Sequence, residues 1–534
     1  MDKRRREIEI YRAKEEIKDK GNQSFYSGVL VLSLSAVIVK IIGLVYKIPM
    51  LRLLGSEGMG YFNSAYEIYA LLCIISTSGL PVAMSVIISR DGERKHAERV
   101  FGSAMRLFIV LGAIGTAIML VFSYPLVRFL GNDKSFYSII AIAPTLFFIC
   151  ITSAYRGYFQ GRGEMLPTAT TQVIEALSKL ILGLIFASVA LNSGFGGEVA
   201  AAFAVLGLVL GSAMSSLYLL LLKKFKGRDG CEGLCAFSKP IARELIVMAL
   251  PITLSAAVTS VTKLIDMTMI LRRLQSIGYS GESAFSVYGS YTTLCLPLFS
   301  LAPALIGSVS MPIIPRLSRA IADGDEREQV ETVNDGVTLT SIISMPISAG
   351  LALYSKEILY LIFKGEAEAI ELCAPLLTIL AFSVSLSSML TLSSAVLQAY
   401  GHPTLPLISM GIGAAVKIIL AYFLIGNESI NIAGAPISTF FCDLTINIVS
   451  FSFVLKYLPG KLRVGRIFVK PFLASAISLT VSKIIYGDLS ARYGEHSGVT
   501  LLCIVIAAIL YLAACLVFKV INIKEIKRIS AIGV

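Results

Sequence analysis

The sequence carries little charge for its length. Only 15% of its 534 residues are charged, whereas 55% are hydrophobic. A soluble globular domain carries about 25% charged residues. With a mean hydropathy of +0.77, the composition excludes a soluble globular chain and predicts a polytopic membrane protein.

The motifs of several enzyme classes are also missing from the sequence. It contains no GxxxxGK[ST] loop, no HExxH and no GxSxG. These motifs mark ATP hydrolysis, zinc-dependent hydrolysis and hydrolysis by a serine nucleophile respectively. Its three histidines, His96, His402 and His496, fall in predicted loops. We therefore predict a secondary transporter rather than an enzyme, with no cofactor.

The apolar runs predict an all-α membrane protein with about fourteen transmembrane helices, since about 20 apolar residues cross a bilayer as a helix. The first predicted span runs from Ser27 to Pro49 and the second from about Tyr61 to Ile88. The other predicted spans cover residues 101–126, 137–159, 169–191, 198–222, 245–270, 287–312, 336–355, 370–396, 406–425, 432–455, 468–486 and 498–518.

The net charge of +12 comes from basic residues in the gaps between apolar runs. Every other gap is basic, notably 89–100, 223–243 and 456–470, as are both tails. Because cytoplasmic loops are enriched in lysine and arginine, we predict that both termini are cytoplasmic and that nucleic acid is not a partner. The predicted outer loops are too short for an extracytoplasmic catalytic domain.

An internal repeat is visible in the sequence. FQGRGEMLPTATTQVIEALSKLIL, from residue 159, aligns with LQAYGHPTLPLISMGIGAAVKIIL, from residue 397, at an offset of 238. The alignment pairs Gly163 with Gly401 and Lys179 with Lys417. Both copies follow an even number of spans, so we predict parallel repeats related by an axis along the membrane normal.

The repeat predicts two six-helix lobes, with a binding cleft between them, and an appended C-terminal helix pair. The predicted domains are a basic cytoplasmic N-terminal segment (1–26), an N-lobe (27–222), a basic cytoplasmic linker (223–243), a C-lobe (244–456), and the last two spans with a cytoplasmic tail (457–534).

Charged residues inside or at the ends of the spans are the candidate functional residues, because a central lysine costs about 2.5–3.5 kcal/mol and needs a partner, water or a ligand. Glu175 lies four residues before Lys179, and Lys263 three before Asp266, so both pairs could neutralise themselves along one helix face. The predicted cavity cations are Lys40, Lys47, Arg52, Lys179 and Lys417, and the predicted cavity carboxylates are Glu67 and Glu175.

The excess of cations at these positions suits an anion, and lysine binds phosphate as a point charge on a flexible stem. An alternative for Lys47 is snorkelling to the nearby interface. Asp266 and Asp443 indicate a coupling-ion site for sodium or a proton, with Thr439 or Thr445 as a co-ligand. Asp443 could equally pair with Lys417.

Several runs resemble the polysaccharide-flippase branch of the multidrug/oligosaccharidyl-lipid/polysaccharide exporter superfamily, and in it the group of stage V sporulation protein B and MurJ-type lipid II flippases. They are KIIGLVYKIPMLRLLGSEGMGYFNSAYEIYALLCIISTSGLPVAMSVIISR, YRGYFQGRGEMLPTATTQVIEALSKL, PITLSAAVTSVTKLID and LQAYGHPTLPL. The resemblance implies alternating access and a cationic cavity for an undecaprenyl-linked pyrophosphate. It places Lys40 and Arg52 among the cavity cations, and Asp266, with Asp443 as a looser match, near a sodium site.

From this resemblance we expect a flippase that moves an undecaprenyl-pyrophosphate-linked saccharide, such as lipid II or a related wall precursor, from the inner to the outer leaflet. The alternative is a cation-coupled multidrug exporter, for which an acidic, aromatic cavity would be expected. We expect a monomer in the bacterial plasma membrane. Its expected partners are the lipid-linked oligosaccharide, membrane lipids and cell-wall synthesis proteins.

Overall fold

A computed structural model describes residues 2–91, 94–226, 237–310, 313–463, 465–494, 496–518 and 520. All regular secondary structure in these ranges is helical. The α-helices are α1 (Asp2–Ile74), α2 (Leu80–Asp91), α3 (Arg94–Val121), α4 (Ser123–Leu130), α5 (Phe136–Gly161), α6 (Leu166–Asn192), α7 (Gly197–Lys226), α8 (Lys239–Ser276), α9 (Gly281–Ser290), α10 (Leu296–Ser310), α11 (Ile313–Ala322), α12 (Glu326–Leu353), α13 (Ser355–Ile362), α14 (Ala367–Ala399), α15 (Thr404–Ile425), α16 (Gly434–Tyr457), α17 (Lys470–Tyr493) and α18 (Ser497–Val517).

Thirteen helices in the described ranges are long and apolar enough to cross a membrane. One of them, Leu34–Ile74, has 41 residues and would extend about 60 Å, twice the thickness of a hydrocarbon core. It is broken at Gly55, whose φ of 66° and ψ of 176° belong to a region open essentially to glycine alone. The all-α, multi-pass prediction is confirmed, whereas the count of fourteen and the two-lobe arrangement stay predictions.

The chain divides into two compact units. Unit 1 comprises the described residues of Met1–Pro49, Ser64–Phe129 and Asp133–Val261, and unit 2 those of Met50–Asn63, Leu130–Asn132 and Thr262–Val534. Unit 1 has a core in which α2, α3, α5 and α7 meet. In unit 2, α11, α12, α14 and α16 share a core, and α17 packs on α12 and α18. The predicted domain boundaries stay a prediction.

The two copies of the sequence repeat end their first helices with the same turn. Gly163, after α5, has a φ of 76°, and Gly401, after α14, has a φ of 79°. Their N–H groups donate to the carbonyls of Gln160 (2.9 Å) and Gln398 (3.0 Å). A positive φ is unfavourable for other residues, so glycine at this repeat position has a conformational cause.

A close helix contact in unit 2 depends on two more glycines. A Cβ atom on Gly60 would collide with the main-chain carbonyl of Phe285, and one on Gly289 with the carbonyl of Ser56 and the main chain of Gly60. The backbones of α1 and α9 therefore touch here, as small residues allow between membrane helices.

The helix contact continues along the chain as side-chain hydrogen bonds. The Asn63 amide donates to the hydroxyls of Thr292 (2.9 Å) and Thr293 (3.1 Å). Both threonines lie in a π-helical turn, Tyr291–Cys295, between α9 and α10. The Asn63 side chain is only 9% exposed, so these bonds are made out of contact with water and tie α1 to that turn.

We predict that Gly289→Ala lowers the stability of the protein by about 1–3 kcal/mol, because the added methyl group overpacks two backbones. Thermal unfolding in detergent measures the change. The matched control is Gly307→Ala in α10, where a Cβ would meet no atom within 4 Å. Unfolding of both variants at the same temperature would contradict the prediction.

Candidate functional site

Lys40 and Lys47 of α1 lie about 20° apart around the helix axis, since seven residues are close to two turns. Lys40 is exposed and Lys47 is half-buried. The large exposed apolar side chains of this stretch are Leu34, Ile38, Ile41 and Val45. At 100° per residue they form a stripe roughly 130° away from the two lysines. The lysines therefore lie on a different face of α1 from these four large side chains.

The ammonium group of Lys179, on α6, makes cation–π contacts with two tyrosine rings of α1. Its Nζ atom lies 4.9 Å from the centre of the Tyr46 ring and 4.8 Å from that of Tyr66. These residues flank the break at Gly55, so the kink brings both rings to one ammonium group. The attraction of a cation to an aromatic face strengthens when water is excluded.

Lys47 belongs to the same site as Lys179. It interacts electrostatically with Lys179, which repels its charge, and with Glu67, which attracts it. Tyr66 in turn interacts with the charges of both Glu67 and Glu175. Two predicted cavity cations and both predicted cavity carboxylates are thus gathered in unit 1.

Glu175 pairs with Arg156 rather than with Lys179, so the expected pair along α6 does not form. Arg156 Nη2 lies 2.9 Å from Glu175 Oε1, and its Nε donates to Thr171 Oγ1 at 2.9 Å. The guanidinium group of Arg156, on α5, can bind the side chains of Thr171 and Glu175 at once. Lys179 contacts the two tyrosine rings instead. The side chains of Arg156 and Glu175 are only 14% and 18% exposed.

We call these residues the first-unit cluster. It consists of Lys47, Lys179, Arg156, Glu67 and Glu175 with the rings of Tyr46 and Tyr66. Three cations face two carboxylates, which leaves the cluster net positive and suited to an anion. The candidate residues predicted from the sequence include neither tyrosine nor Arg156, although the i, i+4 spacing of Thr171 and Glu175 could have indicated a shared partner.

Arg52 belongs to unit 2, whereas the residues of the first-unit cluster belong to unit 1. It is exposed, and its Nη2 donates to the main-chain carbonyl of Lys364 at 2.8 Å. That carbonyl belongs to the connection between α13 and α14. Its predicted role as a cavity cation stays a prediction.

Lys417, Asp266 and Asp443 come together in unit 2 and form what we call the second-unit cluster. Lys417 Nζ lies 3.0 Å from Asp266 Oδ2. It also interacts electrostatically with Asp443, whose side chain is 7% exposed. The expected pairing of Asp266 with Lys263 does not form, because Lys263 is exposed while Lys417 reaches Asp266 from α15.

The two hydroxyls predicted as co-ligands donate their protons within their own helix. Thr439 donates to the Ala435 carbonyl (3.0 Å) and Thr445 to the Phe441 carbonyl (2.7 Å). Such bonds to a carbonyl one turn earlier are usual for threonine in helices. The part played by Asp266 and Asp443 in ion coupling stays a prediction.

A multi-pass helical protein whose helices carry charged clusters has the character of a transporter. The chain belongs to the family described as polysaccharide biosynthesis protein, whose model matches residues 25–321, more than half of it. A second model, MatE, matches residues 251–423. The resemblance to the polysaccharide-flippase branch is confirmed.

Two Bacillus subtilis (strain 168) proteins are similar along much of the chain. Stage V sporulation protein B is 26% identical over 96% of this chain and 98% of its own length. Lipid II flippase MurJ is 25% identical over 74% of this chain and 76% of its own. The chain is therefore homologous to a protein named as a lipid II flippase, and the prediction of a transporter rather than an enzyme is confirmed.

Solved structures have the same fold. Lipid II flippase MurJ in an inward closed conformation matches with a TM-score of 0.73 and 15% identity, covering 92% of this chain and 98% of the other. An inward-facing multidrug resistance MATE family transporter of the MOP superfamily matches with a TM-score of 0.67 and 17% identity. The match covers 81% of this chain and 98% of the other. At these identities the matches define the fold alone.

We predict that Arg156 and Glu175 are strongly coupled in a double-mutant cycle of Arg156→Met and Glu175→Gln. A half-buried charged hydrogen bond should give a coupling of about 1–3 kcal/mol in thermal stability. The control pair, Arg492 and Asp488, has side chains that are 68% and 60% exposed and should give less than about 0.5 kcal/mol. Equal couplings in the two cycles would contradict the assignment.

Proposed function

We propose that the protein is a flippase that moves an undecaprenyl-pyrophosphate-linked saccharide from the inner to the outer leaflet of the bacterial plasma membrane by alternating access. The observation that carries the proposal is the net positive first-unit cluster inside a helical membrane protein. The homology to stage V sporulation protein B and lipid II flippase MurJ supports it. Lipid II or a related wall precursor is the proposed substrate.

The prenyl tail and the polar head group of such a substrate are stable in opposite surroundings. A long prenyl tail gains about 0.8 kcal/mol for each methylene that stays in lipid. The sugars and the pyrophosphate cannot cross hydrocarbon unaided. A carrier therefore has to shelter only the head group, and its essential element is a set of cations at membrane depth that can bind and release phosphate.

The first-unit cluster supplies such a set. We assign Lys47 and Lys179 to the pyrophosphate, because a lysine ammonium binds phosphate as a mobile point charge and releases it readily. Lys40, on the same face as Lys47, would extend the site. The Arg156 guanidinium is already bound by Glu175, so it orients α6 rather than meeting the substrate first.

Arg52 and Lys417 keep the role of further cavity cations in this proposal, and Asp266 and Asp443 that of coupling residues. A membrane potential that is negative inside favours outward movement of an anion by about 2.3 kcal/mol per charge per 100 mV. The same potential would draw a coupling cation inward and so reset the carrier. Cell-wall synthesis proteins are the proposed partners of a monomeric carrier.

Export of amphipathic drugs is the second candidate function, because the MatE model matches residues 251–423. A cavity that binds cationic drugs should be acidic. In the first-unit cluster the cations exceed the carboxylates, which favours the flippase.

The test follows fluorescent lipid II across vesicles that contain the purified protein, with and without a sodium gradient and a membrane potential. We predict that Lys47→Met and Lys179→Met each slow the movement about tenfold or more, because one charged hydrogen bond to phosphate contributes about 1.5–3 kcal/mol. Lys40→Ala should slow it in the same direction.

The matched control is Lys356→Met, since this lysine pairs with Glu371 at an exposed position and should leave the rate unchanged. Equal rates in the wild type and both cluster variants would contradict the role of the first-unit cluster. Transport of a cationic dye by folded protein that does not move lipid II would establish the exporter instead.

A further inference from the structure

Arg106 of α3 is a charged residue within a membrane span, and the proposed transport site does not use it. Val121 is the last residue of α3. Since about 20 helical residues cross the hydrocarbon core, the opposite boundary of the core falls near residue 102. Arg106 therefore lies about 6 Å inside that boundary, at 1.5 Å per residue. A guanidinium group at this depth needs a compensating partner.

The described part of the chain supplies no such partner. Arg106 is half-buried, yet it makes no hydrogen bond, ion pair or ring contact with any residue that the structure describes. Glu98, the only carboxylate of α3, is already bound. Lys223 Nζ lies 2.7 Å from its Oε2, and the Tyr158 hydroxyl donates to its Oε1 at 2.7 Å. The counter-charge of Arg106 is therefore left to the surroundings of the protein.

The surroundings of Arg106 are lipid. At 100° per residue, Lys95, Arg99 and Val110 lie within about 40° of it around the axis of α3. Val110 and the nearby Ile114 are 53% and 51% exposed, and large apolar side chains exposed along a membrane span are stable against lipid rather than water. Lys95 and Arg99 are exposed as well. This stripe thus passes from cations at one end of the span to apolar side chains in its middle.

Helix geometry directs the Arg106 side chain toward the headgroups. Side chains on an α-helix tilt toward its N-terminus, and α3 begins at Arg94, beyond the boundary near residue 102. A long arginine side chain can keep its apolar stem in hydrocarbon and its guanidinium group at headgroup level. Because the gap 89–100 is basic, this end of α3 is predicted to be the cytoplasmic one.

The start of α8 adds positive charge beside α3. The N–H group of Ser238, directly before α8, donates to Ser103 Oγ at 3.1 Å. Lys239 and Arg243 follow and are exposed, and together they exceed the one carboxylate here, Glu244. Since Ser103 lies three residues before the unpartnered arginine, both sets of cations border the same leaflet.

We propose that Arg106 binds the headgroup phosphate of an anionic phospholipid from the cytoplasmic leaflet, and that Lys95 and Arg99 add to the attraction. The acyl chains of this lipid pack along Val110 and Ile114. A guanidinium group suits the site because it donates two parallel hydrogen bonds to phosphate oxygens and is more weakly hydrated than an ammonium group. The site does not depend on the proposed flippase activity.

The charge of the stripe selects among lipids. Lys95, Arg99 and Arg106 give it three positive charges, and the face that they share has no carboxylate. A zwitterionic headgroup carries an ammonium group that these cations repel. We therefore expect anionic lipid to be preferred over zwitterionic lipid about fivefold at this position, the factor that corresponds to one cation beside an anionic membrane.

The chain contains no tryptophan, so Val110→Trp gives a single fluorescent reporter about one turn from Arg106. Lipids with brominated acyl chains quench tryptophan fluorescence on contact. In vesicles of mixed lipid, we expect brominated phosphatidylglycerol to compete for this position about fivefold better than brominated phosphatidylcholine. An Ile509→Trp reporter should show no preference, because Ile509 is 61% exposed on α18, a helix without charged residues.

In the Val110→Trp protein, Arg106→Met should remove the preference and Arg106→Lys should retain part of it. The matched control is Arg463→Met, which should leave the preference unchanged. Arg463 is also exposed in a basic gap, but it lies outside the helices, between α16 and α17.

Two results would overturn the proposal. One is equal quenching by the two lipids at Val110. The other is a preference that survives Arg106→Met and disappears at high salt, since it would indicate diffuse attraction to a basic surface. The comparison of the Val110→Trp and Ile509→Trp reporters needs no variant of Arg106, so it tests the site independently of how those variants fold.

Discussion

A charge placed among membrane helices must be compensated by another group, since hydrocarbon cannot solvate it. For two half-buried ion pairs of this protein the compensation runs between helices rather than along one helix. Arg156 of α5 reaches Glu175 of α6, and Lys417 of α15 reaches Asp266 of α8. Each pair fixes two helices against each other, so the same contacts that make the charges tolerable also determine how helices within a unit pack.

Much of the fold could be predicted because it follows from local sequence. Apolar runs and basic gaps define spans without knowledge of their neighbours. The repeat turns at Gly163 and Gly401 were visible as aligned glycines, and their positive φ angles give the physical reason. The break at Gly55 falls in the Gly-rich stretch where the sequence predicts a connection between two spans.

The partners of the charged side chains could not be predicted in the same way. A spacing of three or four residues indicates that two side chains can meet, but it says nothing of a better partner on another helix. Arg156 offers a fork that binds Thr171 and Glu175 together. The spacing of these two residues within α6 can indicate a shared partner, but it does not identify Arg156. The rings of Tyr46 and Tyr66 converge on Lys179 only because α1 bends between them.

The repeat also places equivalent lysines in different surroundings. Lys179 rests on aromatic faces, which attract an ammonium group without cancelling its charge. Lys417 is bound to a carboxylate, which does cancel it. One repeat position thus holds an ammonium group on aromatic rings in the first unit and an ion-paired ammonium group in the second. That difference shows that equivalent positions of the repeat have diverged in their surroundings.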